Sequence, residues 1–167
     1  EAVIADMDGA SGMLIYWARF EASDNGETLK AELAAGGDVQ MIRNQAKVSI
    51  ANWNTAYLKV TGFVTAGIHA FGTVAPHSNS EGFNWPGTEE YVTLPRNRAL
   101  MSDIEDVNTK SEDYIFEHEN SSDNPVSVII KGMPQGGDKE LYYRVALVGP
   151  DGEQLLIKRN HSYVLNI

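Results

Sequence analysis

Residues 141–148 are LYYRVALV, and residues 149–152, which follow directly, are GPDG. The odd positions from 143 to 147 hold bulky apolar side chains, which is the two-residue period of a β-strand. Proline presets one backbone dihedral angle of a turn and glycine permits a positive one, so the chain is expected to reverse sharply here. Residues 153–157 (EQLLI) would supply the returning strand. We therefore predict a β-hairpin closed by residues 149–152.

Other segments carry the same strand signal. Residues 57–64 (YLKVTGFV) alternate, which places Val60 and Phe63 on opposite faces of a predicted strand. Residues 162–167 are expected to join the hairpin in an antiparallel meander. Residues 28–35 (TLKAELAA) combine helix-forming residues with a strand-like alternation, so we predict a short helix and leave a strand open. Further strands are predicted at 13–20 (MLIYWARF), 91–94 (YVTL), 114–117 (YIFE) and 126–131 (VSVIIK).

The composition is that of an acidic globular chain, and it excludes several classes of protein. The 23 acidic and 13 basic residues give a net charge of -10. Such a chain repels phosphate backbones and anionic membrane surfaces, so no nucleic acid partner is expected. No run of about 18 apolar residues is present, so no membrane-spanning helix is expected. The absence of cysteine excludes disulfides, thiolate metal sites and a cysteine nucleophile.

Acidic side chains are concentrated in residues 103–123, which hold eight acids and one lysine. A run of like charge is typical of a solvated loop face or linker. A calcium-binding loop would place acids at alternate positions around a glycine, and this segment has no glycine. We therefore predict a solvated segment here.

A search for catalytic and metal-binding patterns finds none. No two histidines have a metal-ligand spacing such as H-x-x-x-H, so each is expected to be a surface or strand residue. The glycine pairs at 36–37 and 136–137 lack the context of a phosphate-binding loop and are interpreted as hairpin turns, and no serine lies in a G-x-S-x-G elbow. We expect no catalytic site, no cofactor and no metal, and a fold whose stability needs no metal ion. The four histidines are His69, His77, His118 and His161.

Four aromatic residues leave a sugar-binding surface open as an alternative. Their rings could stack on sugars if they lined one platform, but aromatic side chains also serve as core or loop anchors. These residues are Trp53, Phe83, Trp85 and Tyr91.

Two segments resemble each other at the start of predicted strands. Residues 42–48 (IRNQAKV) and 157–164 (IKRNHSYV) both place an Arg-Asn pair before an alternating run. Guanidinium and amide groups can satisfy backbone carbonyls where a strand begins. We assign Arg43, Asn44, Arg159 and Asn160 this structural role, in equivalent places of two similar β-domains. The competing interpretation is that the arginines are exposed and serve as protease cleavage points.

Five motifs occur in a fixed order along the chain. They are 41–48 (MIRNQAKV), 72–76 (GTVAP), 92–95 (VTLP), 114–117 (YIFE), and the pair 142–148 (YYRVALV) with 157–167 (IKRNHSYVLNI). The last pair looks like a YYRI-L strand, a turn and an I-RN-xx-Y-x-I-x-I strand, and the first is similar to an L-x-R-x-x-AK-I/V strand. Together they resemble the fimbrillin family of Bacteroides-type bacteria, over about residues 39–167.

The resemblance implies an all-β fold of two tandem transthyretin-like β-sandwich domains, mostly antiparallel. We place these domains at residues 1–75, incomplete in this chain, and 76–167. It also implies lipoproteins exported to the outer surface, where they build thin fimbriae as stalk, anchor or tip subunits. In stalk subunits an arginine-specific protease removes the first strand, and the vacated groove accepts a strand from the next subunit by β-augmentation. The implied partners are other fimbrial subunits.

The chain departs from the family pattern at its ends. The family's lipid-bearing cysteine and leader, its strands before Met13 and the tail that usually follows the RN-xx-Y strand are absent from this sequence, which starts with Glu1 and not with methionine. A trimmed or processed chain would explain these departures. We expect a non-enzymatic structural subunit of cell-surface fimbriae, anchored at or exported through the outer membrane. The alternative is a secreted glycan- or protein-binding β-module that acts as a tip adhesin on a host molecule.

Overall fold

The computed structural model describes residues 4–6, 14, 16–17, 41–51, 55–73, 78–79, 82–83 and 99–167. Within these ranges the fold is all-β and contains no helix, which confirms the predicted fold class. The part of the chain described here therefore holds no helix that could cross a membrane. The strands are β1 (Ile4–Asp6), β2 (Tyr16–Trp17), β3 (Ile42–Arg43), β4 (Ala46–Ala51), β5 (Leu58–Ala66), β6 (Phe71–Thr73), β7 (Ser78–Asn79), β8 (Gly82–Phe83), β9 (Glu105–Asp106), β10 (Glu112–Ile115), β11 (Ser127–Pro134), β12 (Leu141–Ala146) and β13 (Ser162–Asn166).

Two sheets contain most of the longer strands. One has three strands in the order β10-β4-β13, and the other has four in the order β12-β11-β5-β9. Three short pairs accompany them, namely β1 with β6, β2 with β3 and β7 with β8. All pairings are antiparallel except that of β13 with β4, which is parallel.

The hydrophobic core takes side chains from both of these sheets. Alternate residues of β4 are buried, as expected of a strand with one face against a core. They join buried residues of β5, β10 and β11 in a single cluster. This is the arrangement of a β-sandwich, in which two inner faces interdigitate. The β4 and β11 members of the cluster are Ala46, Val48, Ile50, Val128 and Ile130.

A β-bulge in β5 corrects the predicted faces of residues 57–64. Opposite β11, Lys131 pairs with Gly62 and the next residue, Gly132, pairs with Val60, so Thr61 has no partner in the register. One extra residue shifts the alternation by one position. Val60 and Phe63 are therefore both buried in the core, although a regular strand would place them on opposite faces.

The predicted hairpin at residues 149–152 is confirmed. The Gly149 N–H donates to the Glu153 carbonyl at 2.8 Å, and the Leu155 N–H donates to the Leu147 carbonyl at 3.0 Å. Gly152 has a φ of 83°, which a non-glycine residue rarely adopts. The second arm is shorter than predicted, because Ile157 bridges to His118 instead of continuing the hairpin.

The prediction that residues 162–167 complete an antiparallel meander is wrong. β13 lies parallel to β4, with Ser162 opposite Lys47 and Leu165 opposite Ile50. This strand therefore joins the three-stranded sheet beside β4 and not the sheet that contains β12, the first arm of the hairpin.

The division of the chain at residues 75 and 76 is not confirmed. β4 and β5 precede this boundary, yet each shares a sheet with strands that follow it. The predicted turn at residues 136–137 does join β11 to β12, with a φ of 74° at Gly136. The predicted helix at 28–35, the strand at 91–94 and the turn at 36–37 lie outside the described residues.

Candidate functional site

The Arg43 side chain is held by backbone carbonyl groups. Its Nε donates to the Gln45 carbonyl at 2.9 Å, and its Nη2 donates to the His161 carbonyl at 3.2 Å. The guanidinium carbon lies 5.1 Å from the centroid of the Tyr114 ring, within the range of a cation–π contact. This guanidinium group is therefore half-buried and bonded, as expected for an arginine that satisfies carbonyls near a strand.

Asn160 and Asn44 differ in what they contact. Asn160 has a positive φ of 60°. Its side-chain Oδ1 accepts the Arg43 N–H at 3.3 Å, and its own N–H donates to the Gln45 carbonyl at 3.0 Å. The buried Asn44 side chain makes no hydrogen bond, so the carbonyl-binding role predicted for it is not observed.

Arg159 makes a buried ion pair. Its Nη2 lies 2.7 Å from Glu117 Oε2, and both side chains are only 5% exposed. The Arg159 backbone N–H also donates to Glu117 Oε1 at 3.2 Å. This arginine therefore binds a carboxylate, whereas Arg43 binds carbonyls.

The structure brings the two Arg-Asn segments together. They precede β4 and β13, which are neighbours in one sheet, and the Lys47 N–H donates to the His161 carbonyl at 2.9 Å. The similar segments 42–48 and 157–164 thus lead into two adjacent parallel strands of one sheet, and not into corresponding strands of two separate sheets.

A second cluster of polar side chains was not predicted. His69 follows β5, and His118 and Glu119 follow β10. The two imidazole rings have centroids 4.3 Å apart at 45°. One ligand atom from each of the three residues lies within 4.8 Å of the other two. Both histidines are buried, which excludes the surface position that was one of the two alternatives expected, and His118 bridges to Ile157 as a strand residue does.

Burial controls the charge of His69. Desolvation lowers its pKa, and the Glu119 carboxylate and the Glu117 backbone oppose this effect only in part. Neither ring nitrogen makes a well-formed hydrogen bond, although the side chain is only 1% exposed. The pKa of Glu119 is lowered; burial raises it, but the Asn124 amide, its own backbone and the two histidines outweigh burial.

Two asparagines fix the position of His118. The Asn120 N–H donates to its Nδ1 at 2.8 Å, and the Asn124 Nδ2 lies 3.1 Å from its Nε2 and 2.9 Å from Glu119 Oε1. The buried Asn120 amide donates to the Leu147 and Leu155 carbonyls and accepts the Val126 N–H. The cluster is thus tied to the confirmed hairpin.

The spacing of histidines along the sequence could not have identified this cluster. His69 follows a strand of the four-stranded sheet, His118 follows a strand of the three-stranded sheet, and the two residues are far apart in sequence. His161 does not join it, because its Nδ1 lies 2.8 Å from the Arg159 carbonyl oxygen. His77 lies outside the described residues. The proposed aromatic platform also lies outside them, apart from the backbone of Phe83.

The acidic segment 103–123 is solvated only in part. Asp106 accepts hydrogen bonds from the backbone and side chain of Asn108, which lower the pKa of its exposed carboxyl group. Other members are buried, because β10 and the residues after it enter the core. The buried part includes Val107, Ile115, Phe116, Glu117, His118 and Asn120.

The outer edge of the four-stranded sheet is a third feature of the surface. β12 pairs with β11 on one side, and no strand of the described chain pairs with its other side. Leu141 and Tyr142 are 48% and 65% exposed. β12 is six residues long and therefore presents several backbone groups to a further strand.

Comparisons with known proteins give little further information. No protein-family model and no curated protein matches the sequence. Among solved structures, a Parabacteroides distasonis protein described as a candidate cell adhesion protein is similar, with 16% sequence identity and a TM-score of 0.40. The match covers 76% of this chain and 43% of that one, so the chain spans less than half of that protein's length. A likeness at this level carries no argument about fold or function.

Proposed function

We propose that the protein is a non-enzymatic structural subunit of cell-surface fimbriae that assembles by β-strand donation between subunits. The proposal combines the five ordered motifs with one structural observation, the open edge of β12. In this role the chain is exported through, or anchored at, the outer membrane, and its partners are other fimbrial subunits.

An open edge supports assembly because unpaired backbone groups are a template for another strand. Proteins that stay monomeric usually shorten such an edge, charge it or cover it. β12 carries one exposed charged residue, Arg144, and it also exposes Leu141 and Tyr142, with Val148 exposed just beyond it. In β-augmentation, backbone hydrogen bonds supply affinity and side-chain contacts supply specificity.

Proline scanning of β12 tests the proposal. Alternate N–H groups of an edge strand point outward, so of Arg144→Pro and Val145→Pro one removes an outward N–H and the other a bond to β11. The variant that keeps the parent melting temperature has lost the outward N–H. We expect that variant to abolish the polymers formed by the parent protein, as measured by electron microscopy and protease resistance.

Tyr57→Lys is the matched control, because Tyr57 is an exposed aromatic residue outside the strands. It should leave polymer formation unchanged. Polymers that survive the well-folded proline variant would rule out β12 as the acceptor edge. A parent protein that stays monomeric and binds a glycan or host protein would favour the tip adhesin instead.

A further inference from the structure

The cluster of His69, His118 and Glu119 has the composition of a transition-metal site. Two imidazoles and one carboxylate form one of the ligand sets that bind Zn²⁺ in proteins. For three atoms no more than 4.8 Å apart, a central position lies at most about 2.8 Å from each, compared with Zn²⁺ bonds of about 2.0–2.2 Å. The side chains therefore need to approach by less than about 1 Å to complete the bonds.

His69 independently indicates a missing partner. Both of its ring nitrogens are buried, and apart from a weak interaction of the ring with the Glu117 backbone neither has a hydrogen-bond partner. Buried polar atoms are nearly always satisfied by protein, water or an ion. The Glu119 carboxylate faces the same space, and its side chain is 28% exposed, which provides a route of access from solvent.

His118 would have to exchange a hydrogen bond for a metal bond, because its Nδ1 accepts the Asn120 N–H at 2.8 Å. Its Nδ1 lies 3.8 Å from Glu119 Oε2, on the carboxylate side of the ring. An ion at Nδ1 would replace the hydrogen bond from the Asn120 N–H and leave a proton on Nε2. Rotation of the Asn124 amide would present its oxygen to this proton and give up the bond from Asn124 Nδ2 to Glu119 Oε1, which the ion would replace. Such outer-shell bonds fix the tautomer of ligating histidines.

We propose that His69, His118 and Glu119 bind one Zn²⁺ ion, with the fourth position open to water. The imidazole ligands favour Zn²⁺ over Ca²⁺ and Mg²⁺, which prefer oxygen ligands. The site is independent of the proposed fimbrial role, since it lies inside the fold and not at the β12 edge.

Isothermal titration of the EDTA-treated, tag-free chain with ZnCl₂ tests the site. We expect saturable binding of one ion per chain, and no saturable heat with CaCl₂ or MgCl₂. Loss of an outer-shell partner alone weakens metal binding about 10–100-fold, so His69→Ala and Glu119→Gln should each weaken it at least about ten-fold. Glu119→Gln changes a partly exposed side chain, so it preserves a testable fold if His69→Ala does not.

His161→Ala is the control, because it removes a histidine outside the cluster and should retain the parent affinity. Circular dichroism in EDTA establishes that each variant is folded. The proposal is overturned if the parent shows no saturable binding of one Zn²⁺. It is equally overturned if folded Glu119→Gln binds Zn²⁺ like the parent, and ordered water then satisfies His69.

Discussion

Glu117 and Arg159 form a buried ion pair between a carboxylate and a guanidinium group. Removing two charges from solvent is costly, and their attraction repays this cost only when the geometry is good. Here the side-chain contact is 2.7 Å, and the Arg159 backbone N–H adds a second bond to the same carboxylate. The pair fixes the turn before β13, so its value lies in positioning as much as in stability.

We expect Arg159→Ala to lower the free energy of unfolding by about 3–5 kcal/mol, because it removes the guanidinium group from the buried Glu117 carboxylate. Arg159→Lys should restore only part of this loss, since a point charge cannot reproduce the planar fork of donors. Urea unfolding measures both. Arg144→Ala is the control, because Arg144 is exposed and donates to Ser127 Oγ at 3.1 Å. Equal losses for Arg159→Ala and Arg144→Ala would contradict the structural role.

The ionisation of Glu112 should make the free energy of unfolding depend on pH. The Tyr114 hydroxyl donates to this carboxylate at 2.8 Å and the Lys47 ammonium lies 3.2 Å away, which together lower the pKa of Glu112. Because the folded-state pKa is the lower one, the stabilisation is complete above the ordinary glutamate pKa. It disappears as the pH falls through the folded-state value.

The Glu112 side chain is 44% exposed, so solvent screens the effect and the gain is below about 1 kcal/mol. Chemical unfolding of the parent and Glu112→Gln between about pH 3 and 7 measures it. We expect the parent to be the more stable at pH 7 and the two to converge in acid. A difference that is constant over this range would mean that ionisation of Glu112 does not contribute. Glu153→Gln, at an exposed site, provides the reference.

At the level of the strand, close approach of backbones explains why Gly62 is a glycine. A Cβ at this position would lie 2.6 Å from Ile104 Cγ2 and 2.7 Å from the Glu105 carbonyl oxygen. Gly62 pairs with Asp106 of β9, so a side chain here would push β9 away from β5. A glycine within a strand often marks such an approach.

We expect Gly62→Ala to lower the free energy of unfolding by about 1–3 kcal/mol, the usual cost of overpacking. It should also speed amide exchange at Val107, whose N–H donates to the Thr61 carbonyl beside β9. Gly136→Ala is the comparison, since its Cβ would meet no atom within 4 Å and would affect only the turn. Hydrogen exchange at Val107 that stays slow in Gly62→Ala would show that β9 accommodates the methyl group.

The sequence predicted those elements whose determinants are local. The turn at residues 149–152 contains its own proline and glycines, and the sequence of the strand before it, β12, alternates clearly. The bulge at Thr61 could not be predicted, because it depends on the register of β11. The contact of His69 with His118 likewise depends on how separate segments pack, so spacing rules for metal ligands do not detect it.

At the scale of the whole molecule, each of the two main sheets combines strands from early and late parts of the chain. β4 and β5 are joined by a short connection, yet each belongs to a different sheet, and both sheets also take strands from residues 105–166. The sequence motifs correctly indicated an all-β chain with a resemblance between residues 42–48 and 157–164. They could not show that the two similar segments lie side by side, because a repeated pattern specifies strand type and not strand pairing.

The parallel pairing of β13 with β4 sets a condition on how the chain acquires its fold. The contact between Arg43 and Asn160 closes a loop of 117 residues, so β4 has no partner on that side until a late part of the chain has been synthesised. Contacts between positions so far apart in sequence slow folding and expose strand edges in the meantime. A chain that emerges from the ribosome, or from an export channel, with its N-terminus first must therefore be kept from aggregating until residues 162–166 arrive.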